Sequence, residues 1–222
     1  MTIYLLPGLG ADERLFRNLD LNGFQATTLK WIDPLKNESI ESYAKRLSVK
    51  LAGQEVVLIG MSFGGMMSIE LAKVVPVKKI ILISSAVSCN ELPQIYRLAG
   101  RTKFYKVITG GILKRSHQIF NWVMGATDPV RKELLAQILR DTDERFLRWA
   151  VEKIVTWKNE TIPDNVIRIH GDKDRVLPFR RAEYRIKGGS HLMVADRADE
   201  VSAAIKEILL AIDKVSAPIP SA

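Results

Sequence analysis

The stretch Gly60-Met61-Ser62-Phe63-Gly64 holds the residues best suited to chemistry. It follows the apolar run Val56-Val57-Leu58-Ile59 and leads straight into a helical pattern, so Ser62 sits on a sharp strand-to-helix turn. In such a turn the positions two before and two after the serine face neighbouring backbone with no room for a Cβ, which accounts for both glycines. The serine is forced into a strained conformation that presents its hydroxyl above the sheet. It also stands at a helix N-terminus, where unpaired amides and the dipole favour developing negative charge. A serine so placed is a candidate nucleophile for acyl transfer.

A free hydroxyl is a poor nucleophile at neutral pH and needs a base. The chain offers His117, His170 and His191. His191 follows the glycine-rich Lys187-Gly188-Gly189-Ser190, after a short strand-like segment and before the last helix, and is the favoured base. His170 closes an apolar strand and reads as a strand-end histidine bonded to backbone. His117 lies among polar residues and reads as exposed. The base needs an orienting carboxylate, and Gly171-Asp172-Lys173-Asp174-Arg175-Val176-Leu177-Pro178 supplies two, in a loop at a strand's C-terminal end where open α/β sheets bind ligands. Asp172 and Asp174 are both candidates, with Asp172 expected to be a turn residue bonding its own backbone.

The elements that must position these groups alternate. Residues 2–6, 56–59, 80–83 and 166–169 are short apolar runs of the kind found in buried parallel strands. Ser39 to Leu51 has helical spacing, with Ser39 as N-cap and Gly53 just past the end. Ser62 to Val75, stopped by Pro76, and Val201 to Ile212 are further helices. Such alternation argues for an α/β fold with a mostly parallel sheet. Residues 91–157 break the rhythm: they show helical spacing but no convincing strand, with Gly110, Gly111 and Gly125 as punctuation. They read as a helical insertion laid over the sheet. The tail from Ser216, with Pro218 and Pro220, is expected to fray.

At 222 residues the chain fits one domain, or one domain with a modest insertion. With 47% hydrophobic and 26% charged residues, disorder and fibrous repeats are excluded. The lone cysteine, Cys89, excludes an internal disulfide framework and a cysteine-rich zinc site, and is expected to be a buried, inert thiol. Three histidines leave little for a metal cage, and no metal or organic cofactor is called for. The net charge of +8 is spread thinly over Lys45, Arg46, Lys50, Lys78, Lys79, Arg97, Arg101, Lys103 and Lys106, which suits a solvated surface better than a nucleic-acid face. No apolar run approaches the roughly 18 residues of a membrane span. The opening MTIYLLPGLG has no basic n-region or cleavage signal and reads as the first strand; the expected compartment is cytoplasmic.

In chain order Ser62, Asp174 and His191 follow the α/β-hydrolase sequence of roles, unlike the chymotrypsin and subtilisin orders. The chain resembles the α/β-hydrolase superfamily, in its small esterase-like branch, along nearly its whole length. Tyr4-Leu5-Leu6-Pro7-Gly8-Leu9-Gly10 looks like that superfamily's oxyanion loop and Gly171 to Pro178 like its acid loop. The family's acid falls three residues after that glycine, at Asp174. The resemblance implies a mostly parallel sheet flanked by helices, built from residues 1–90 and 158–222, with a helical cap at 91–157. It also implies oxyanion donors at the backbone amides of Leu9 and Phe63. Pro7 stands where many members have histidine, and the chain begins at what would be the family's third strand. Only residues 175–190, 16 in number, separate Asp174 from His191, so the usual intervening helix is expected to be reduced or absent.

The expected activity is hydrolysis of a small carboxylic ester or thioester through an acyl-enzyme, with amide and carbon–carbon cleavage open to the same triad. Dehalogenation is disfavoured because the turn carries Ser62 and not an aspartate. The rival reading is a non-catalytic ligand-binding protein on the same fold. Met61, Phe63, Met66, Phe104, Tyr105, Phe120 and Trp122 either line an acyl pocket or pack cap against core, and Arg97, Arg101 and Lys103 are candidates to steer an anionic substrate.

Overall fold

The four apolar runs become β1 (Thr2–Leu6), β3 (Val56–Met61), β4 (Lys79–Ile83) and β5 (Val166–Gly171), each at its expected limits or one to two residues beyond. The computed structural model describes residues 1–52, 56–103 and 117–216, without the side chains of residues 117, 215 and 216. Gly53, Phe104, Tyr105, Lys106, Gly110, Gly111, the His117 side chain, Pro218 and Pro220 therefore lie outside the described residues. Two short edge strands, β2 (Ala26–Thr28) and β6 (Tyr184–Ile186), complete a sheet of order β2-β1-β3-β4-β5-β6. All five pairings are parallel.

Alternation of side chains across the pleat divides the core in two. Ile3, Leu5, Val57, Ile59, Ile81 and Ile83 pack on one face, and Tyr4, Leu6, Leu58, Ile80 and Leu82 on the other. The first face is covered by α7 (Met193–Asp196) and α8 (Ala198–Ser216) through Met193, Val201, Ile205 and Leu209. The second is covered by α1 (Ile40–Leu47) and α2 (Phe63–Ala72) through Tyr43, Ala44, Met66 and Ile69. Helix α2 is buried from Phe63 to Leu71, so it is enclosed on all sides rather than striped, with Glu70 paired to Lys73 and to the Trp157 Nε1–H.

Two helices are shorter than their periodicity suggests. Ser39 caps α1 as expected, its Oγ accepting the Ser42 N–H at 3.1 Å, but the helix tightens into a 3-10 turn at Ser48–Lys50. Helix α2 stops at Ala72 rather than Val75, and the Val74 and Val75 amides both donate to Leu71 O at 3.0 Å in a closing turn ahead of Pro76. The last helix is longer at both ends than the predicted 201–212.

Between β4 and β5 the described residues form α3 (Gln94–Thr102), α4 (His117–Met124), α5 (Pro129–Asp141) and α6 (Glu144–Val155), with no strand among them. Asp128 and Asp143 cap the last two, accepting the Arg131 and Phe146 amides at 3.0 and 2.9 Å. These helices share the core of the sheet. Leu134, Leu135 and Ile138 of α5 join the first face; Phe146, Trp149 and Ala150 of α6 join the second, beside Tyr43 and Phe63. Cys89 is a free thiol and half-buried rather than buried. Among the described residues no helix is long and apolar enough to cross a membrane.

Candidate active site

Ser62 follows β3 directly and caps α2 with φ +52° and ψ −119°, a conformation that costs a non-glycine residue of order 1–3 kcal/mol. The turn is held from three sides. The Ser62 N–H donates to Ile83 O at 2.9 Å, and the Ser85 hydroxyl donates to Ser62 O at 2.6 Å. The flanking glycines are obligatory by contact: a Cβ on Gly60 would lie 2.5 Å from Gly64 O, and one on Gly64 only 2.1 Å from Leu6 O. The strain is thus fixed by neighbouring strands, and Ser62 is left half-buried at the C-terminal edge of the sheet.

The three groups expected to meet do so. His191 Nε2 is 2.9 Å from Ser62 Oγ, and His191 Nδ1 is 2.8 Å from Asp174 Oδ2. A carboxylate only accepts, so Nδ1 carries the proton and Nε2 is left as acceptor for the serine hydroxyl. His191 is 1% exposed and Asp174 6%, so the imidazole–carboxylate pair is buried beneath the half-buried serine. The loop from Asp172 to Glu183 carries no helix, as the short spacing predicts, and it delivers the chain directly to β6 and then to His191.

Asp174 does two jobs with its two oxygens. Oδ1 accepts the Val176 and Leu177 amides at 2.8 and 2.9 Å, which closes the turn after β5. Oδ2 faces His191 and, at 3.2 Å, also His170 Nε2. Burial pushes the Asp174 carboxyl up, but electrostatic attraction to the His191 ring and the hydrogen bonds from His170, His191 and Leu177 outweigh it and hold it well below the usual carboxylate range. Asp172 corrects its expectation. It does not bond its own backbone but accepts the Gly188 N–H at 2.7 Å and pairs with Arg185 at 2.9 Å, tying the acid loop to the histidine loop. The self-bonded turn residue is Asp174. His170 is bonded to backbone as expected, through Leu177 O at 2.8 Å, and its approach to Asp174 is the feature sequence reasoning missed.

The loop after β1 passes over the serine: a Cβ on Gly8 would lie 3.6 Å from Ser62 Cβ. Phe63 is the first residue of α2, so its N–H has no carbonyl within the helix to bond. Ala11 N–H donates to Gly8 O at 3.0 Å, which sets the plane of the Gly8–Leu9 peptide and hence the direction of the Leu9 N–H. Residues of this loop also line a cleft of about 370 Å³, together with Trp31, Thr142 and Phe146 among others. Asp12, Glu13, Asp33, Asp141 and Asp143 on its walls outnumber Lys30, so this cleft gives no support to the steering of anions by Arg97, Arg101 and Lys103. Met61, Phe63 and Met66 are buried in the core, so for these three the packing reading holds. Phe120 is half-buried, and Trp122 is exposed with the Arg175 guanidinium 4.3 Å from its ring centre. Among the described residues no group of three or more His, Cys, Asp or Glu side chains is placed to hold a metal ion.

A sheet of this order with a serine on its central turn defines a hydrolase-like α/β protein. The alpha/beta hydrolase family model matches residues 2–204, and the chain belongs to that family. Its fold is similar to that of a thermophilic esterase from Thermogutta terrifontis, at 14% identity, TM-score 0.69 and coverage of 96% of this chain and 90% of that one. It is similar also to MenH from S. aureus, at 16% identity, TM-score 0.68 and coverage of 96% and 94%. The enol-lactonase from Burkholderia xenovorans is a third, at 15% identity, TM-score 0.65 and coverage of 94% and 91%. No curated protein matches the chain in sequence.

Proposed function

We propose that the protein is a serine hydrolase of small carboxylic esters or thioesters, with Ser62 as nucleophile, His191 as base and Asp174 as the acid that orients it. The observation that carries this reading is the continuous chain from Ser62 Oγ to His191 Nε2 at 2.9 Å and from His191 Nδ1 to Asp174 Oδ2 at 2.8 Å. In the first half-reaction Ser62 Oγ attacks the carbonyl carbon as its proton passes to His191 Nε2. The oxyanion is received by the Leu9 and Phe63 amides, assisted by the N-terminus of α2. The imidazolium, stabilised by the Asp174 carboxylate, then protonates the departing alcohol or thiol and leaves an acyl-serine. Water loses a proton to His191, attacks the acyl carbon, and collapse of the second tetrahedral adduct returns the proton to Ser62 and releases the acid. The helices of residues 91–157 act as the cap, α4 and α5 reaching the loops that carry His191 and Leu9.

A fluorophosphonate probe tests the reading. Adduct mapping by mass spectrometry is expected to find label on Ser62 alone, and Ser62→Ala to lose hydrolysis of p-nitrophenyl acetate by about 10⁴-fold or more. Absence of labelling, with ester hydrolysis unchanged in Ser62→Ala, overturns the assignment. No labelling and no hydrolysis at all points instead to a binding protein on this fold.

A further inference from the structure

In the hydrolytic reading above, the Leu9 N–H serves the oxyanion, and the direction of that N–H is set from outside its own loop. The Gly8–Leu9 peptide is held at its carbonyl, where Gly8 O accepts the Ala11 N–H at 3.0 Å. Ala11 N–H and Gly10 C=O belong to one planar peptide unit, so whatever fixes the carbonyl also fixes the amide. What faces that carbonyl is the hydroxyl of Thr142, with Oγ1 2.8 Å from Gly10 O. Thr142 is buried and caps the C-terminus of α5, 132 residues further along the chain.

We infer that Thr142 is a positioning residue for the oxyanion donor. Its hydroxyl bonds Gly10 C=O, Ala11 N–H bonds Gly8 C=O, and the Leu9 N–H is thereby aimed and polarised at the reacting carbonyl. The inference rests on the proposed hydrolase function and names a contact from the α5–α6 corner that the reaction uses. Gly10 is built for it. Its φ is +66°, and a Cβ there would lie 2.5 Å from Thr142 Oγ1 and Cγ2, so only glycine lets the corner approach this closely. The neighbouring Asp141 repeats the tie, because Arg14 bonds its Oδ2 at 2.8 Å through one nitrogen and Asp12 Oδ2 at 2.7 Å through another.

Ile138 O also faces the Thr142 hydroxyl, at 2.6 Å, and one proton serves both carbonyls. Chains of hydrogen bonds strengthen one another when an end becomes charged. As negative charge develops at Leu9 N–H, Gly8 O and then Gly10 O become stronger acceptors. The Thr142 proton is drawn from Ile138 O toward the loop at the moment the donor is needed.

The test compares Thr142→Val, which keeps the shape and loses the hydroxyl, with Thr142→Ser, which keeps the hydroxyl. Thr142→Ala serves if the valine variant does not fold. The valine variant is expected to lose about ten-fold in kcat on p-nitrophenyl acetate with KM little changed, less than the roughly 10²–10³ of losing a donor outright. Its affinity for a trifluoromethyl ketone, whose hemiketal oxyanion occupies the same position, falls in parallel, and the serine variant restores both. Amide exchange at Ala11 in the free protein rises in the valine variant and not in the serine variant, a readout that needs no activity. Equal losses in valine and serine variants, or a change in Tm with kcat and Ala11 exchange unmoved, overturns the inference. Activity that persists in Ser62→Ala sinks the hydrolase reading instead, and the Ala11 exchange still decides the contact.

Discussion

His170 Nε2 stands 3.2 Å from Asp174 Oδ2, the same oxygen that receives His191. Both acceptors around His170 Nε2, this oxygen and Leu177 O, can only accept, so that nitrogen carries a proton. Asp174 therefore divides its charge between two imidazoles. Replacing His170 with leucine removes a donor to a charged group, worth about 1.5–3 kcal/mol, and is expected to lower kcat/KM by about ten-fold or more. His170→Gln, which can return an N–H near the same position, is expected to recover most of the rate. A kcat/KM unmoved in the leucine variant would mean that His170 only braces the turn.

Asp174→Asn separates orientation from architecture. The amide oxygen can still accept the Val176 and Leu177 amides, so the turn after β5 persists. Nδ1 of His191 loses its anionic acceptor, and kcat is expected to fall by about 10⁴ while KM changes little. The same variant reads out stability. Because the folded-state carboxyl is held below its ordinary value, Asp174 stabilises the native state above the usual carboxylate range near pH 4. As pH falls below that range the unfolded chain takes up the proton first, and the stabilisation is lost. Denaturant midpoints of wild type and Asp174→Asn are expected to converge as pH drops from 6 toward 3; a constant gap would show that the charge of Asp174 has no part in stability.

Ser62, Asp174 and His191 were legible because each sits on a local signal: a Gly-x-Ser-x-Gly turn, a strand-end aspartate and a glycine-rich loop. β1, β3, β4 and β5 were legible because parallel strands buried on both faces must be continuous apolar runs. β2 was not, since Ala26-Thr27-Thr28 at an edge has no apolar pattern and is a strand only through its pairing with Ile3, Tyr4 and Leu5. The contacts of Asp172 with Gly188 and Arg185, of His170 with Asp174, and of Thr142 with Gly10 have no sequence signal either. The Asp172 and Thr142 contacts join segments that the topology brings together, and the His170 contact depends on how the turn after β5 folds back, so periodicity along one segment reports none of them.

The α6 helix is anchored by Trp149, whose ring lies 4.3 Å from that of Tyr43 and whose Nε1–H donates to Glu38 O at 2.9 Å. Phe63, next to the reactive serine, meets the same ring edge-on with centroids 6.0 Å apart. Trp149→Ala is therefore expected to cost about 3–5 kcal/mol, or about 10 °C in Tm. Trp149→Phe keeps most of the packing and leaves the Glu38 carbonyl without its donor, a smaller loss of about 1–3 kcal/mol. Thermal unfolding followed by circular dichroism orders the two variants. If the phenylalanine variant is as unstable as the alanine one, the hydrogen bond to Glu38 outweighs the aromatic contacts.

Gly64 carries a steric prediction at the site itself. A methyl group there would stand 2.1 Å from Leu6 O and 2.4 Å from Pro7 O, backbone atoms at the exit of β1 that cannot swing aside as a side chain can. To admit it, α2 must move away from β1, which shifts the first turn that carries the Phe63 amide. Alternatively the Leu6–Pro7 peptide must move, which displaces the loop holding Leu9. Either way Gly64→Ala separates the two proposed oxyanion donors from the position midway between them. It is expected to destabilise the fold by about 3 kcal/mol or more and, in whatever fraction folds, to lower kcat by about 10² or more. Gly23 is the matching control: nothing lies within 4 Å of a Cβ built there, although its φ of +93° adds strain. Gly23→Asn, which tolerates that φ better than alanine, is expected to leave kcat unchanged. Full activity in a folded Gly64→Ala variant would show that the Leu6–Pro7 backbone yields, and that the two amides need not be held at fixed separation.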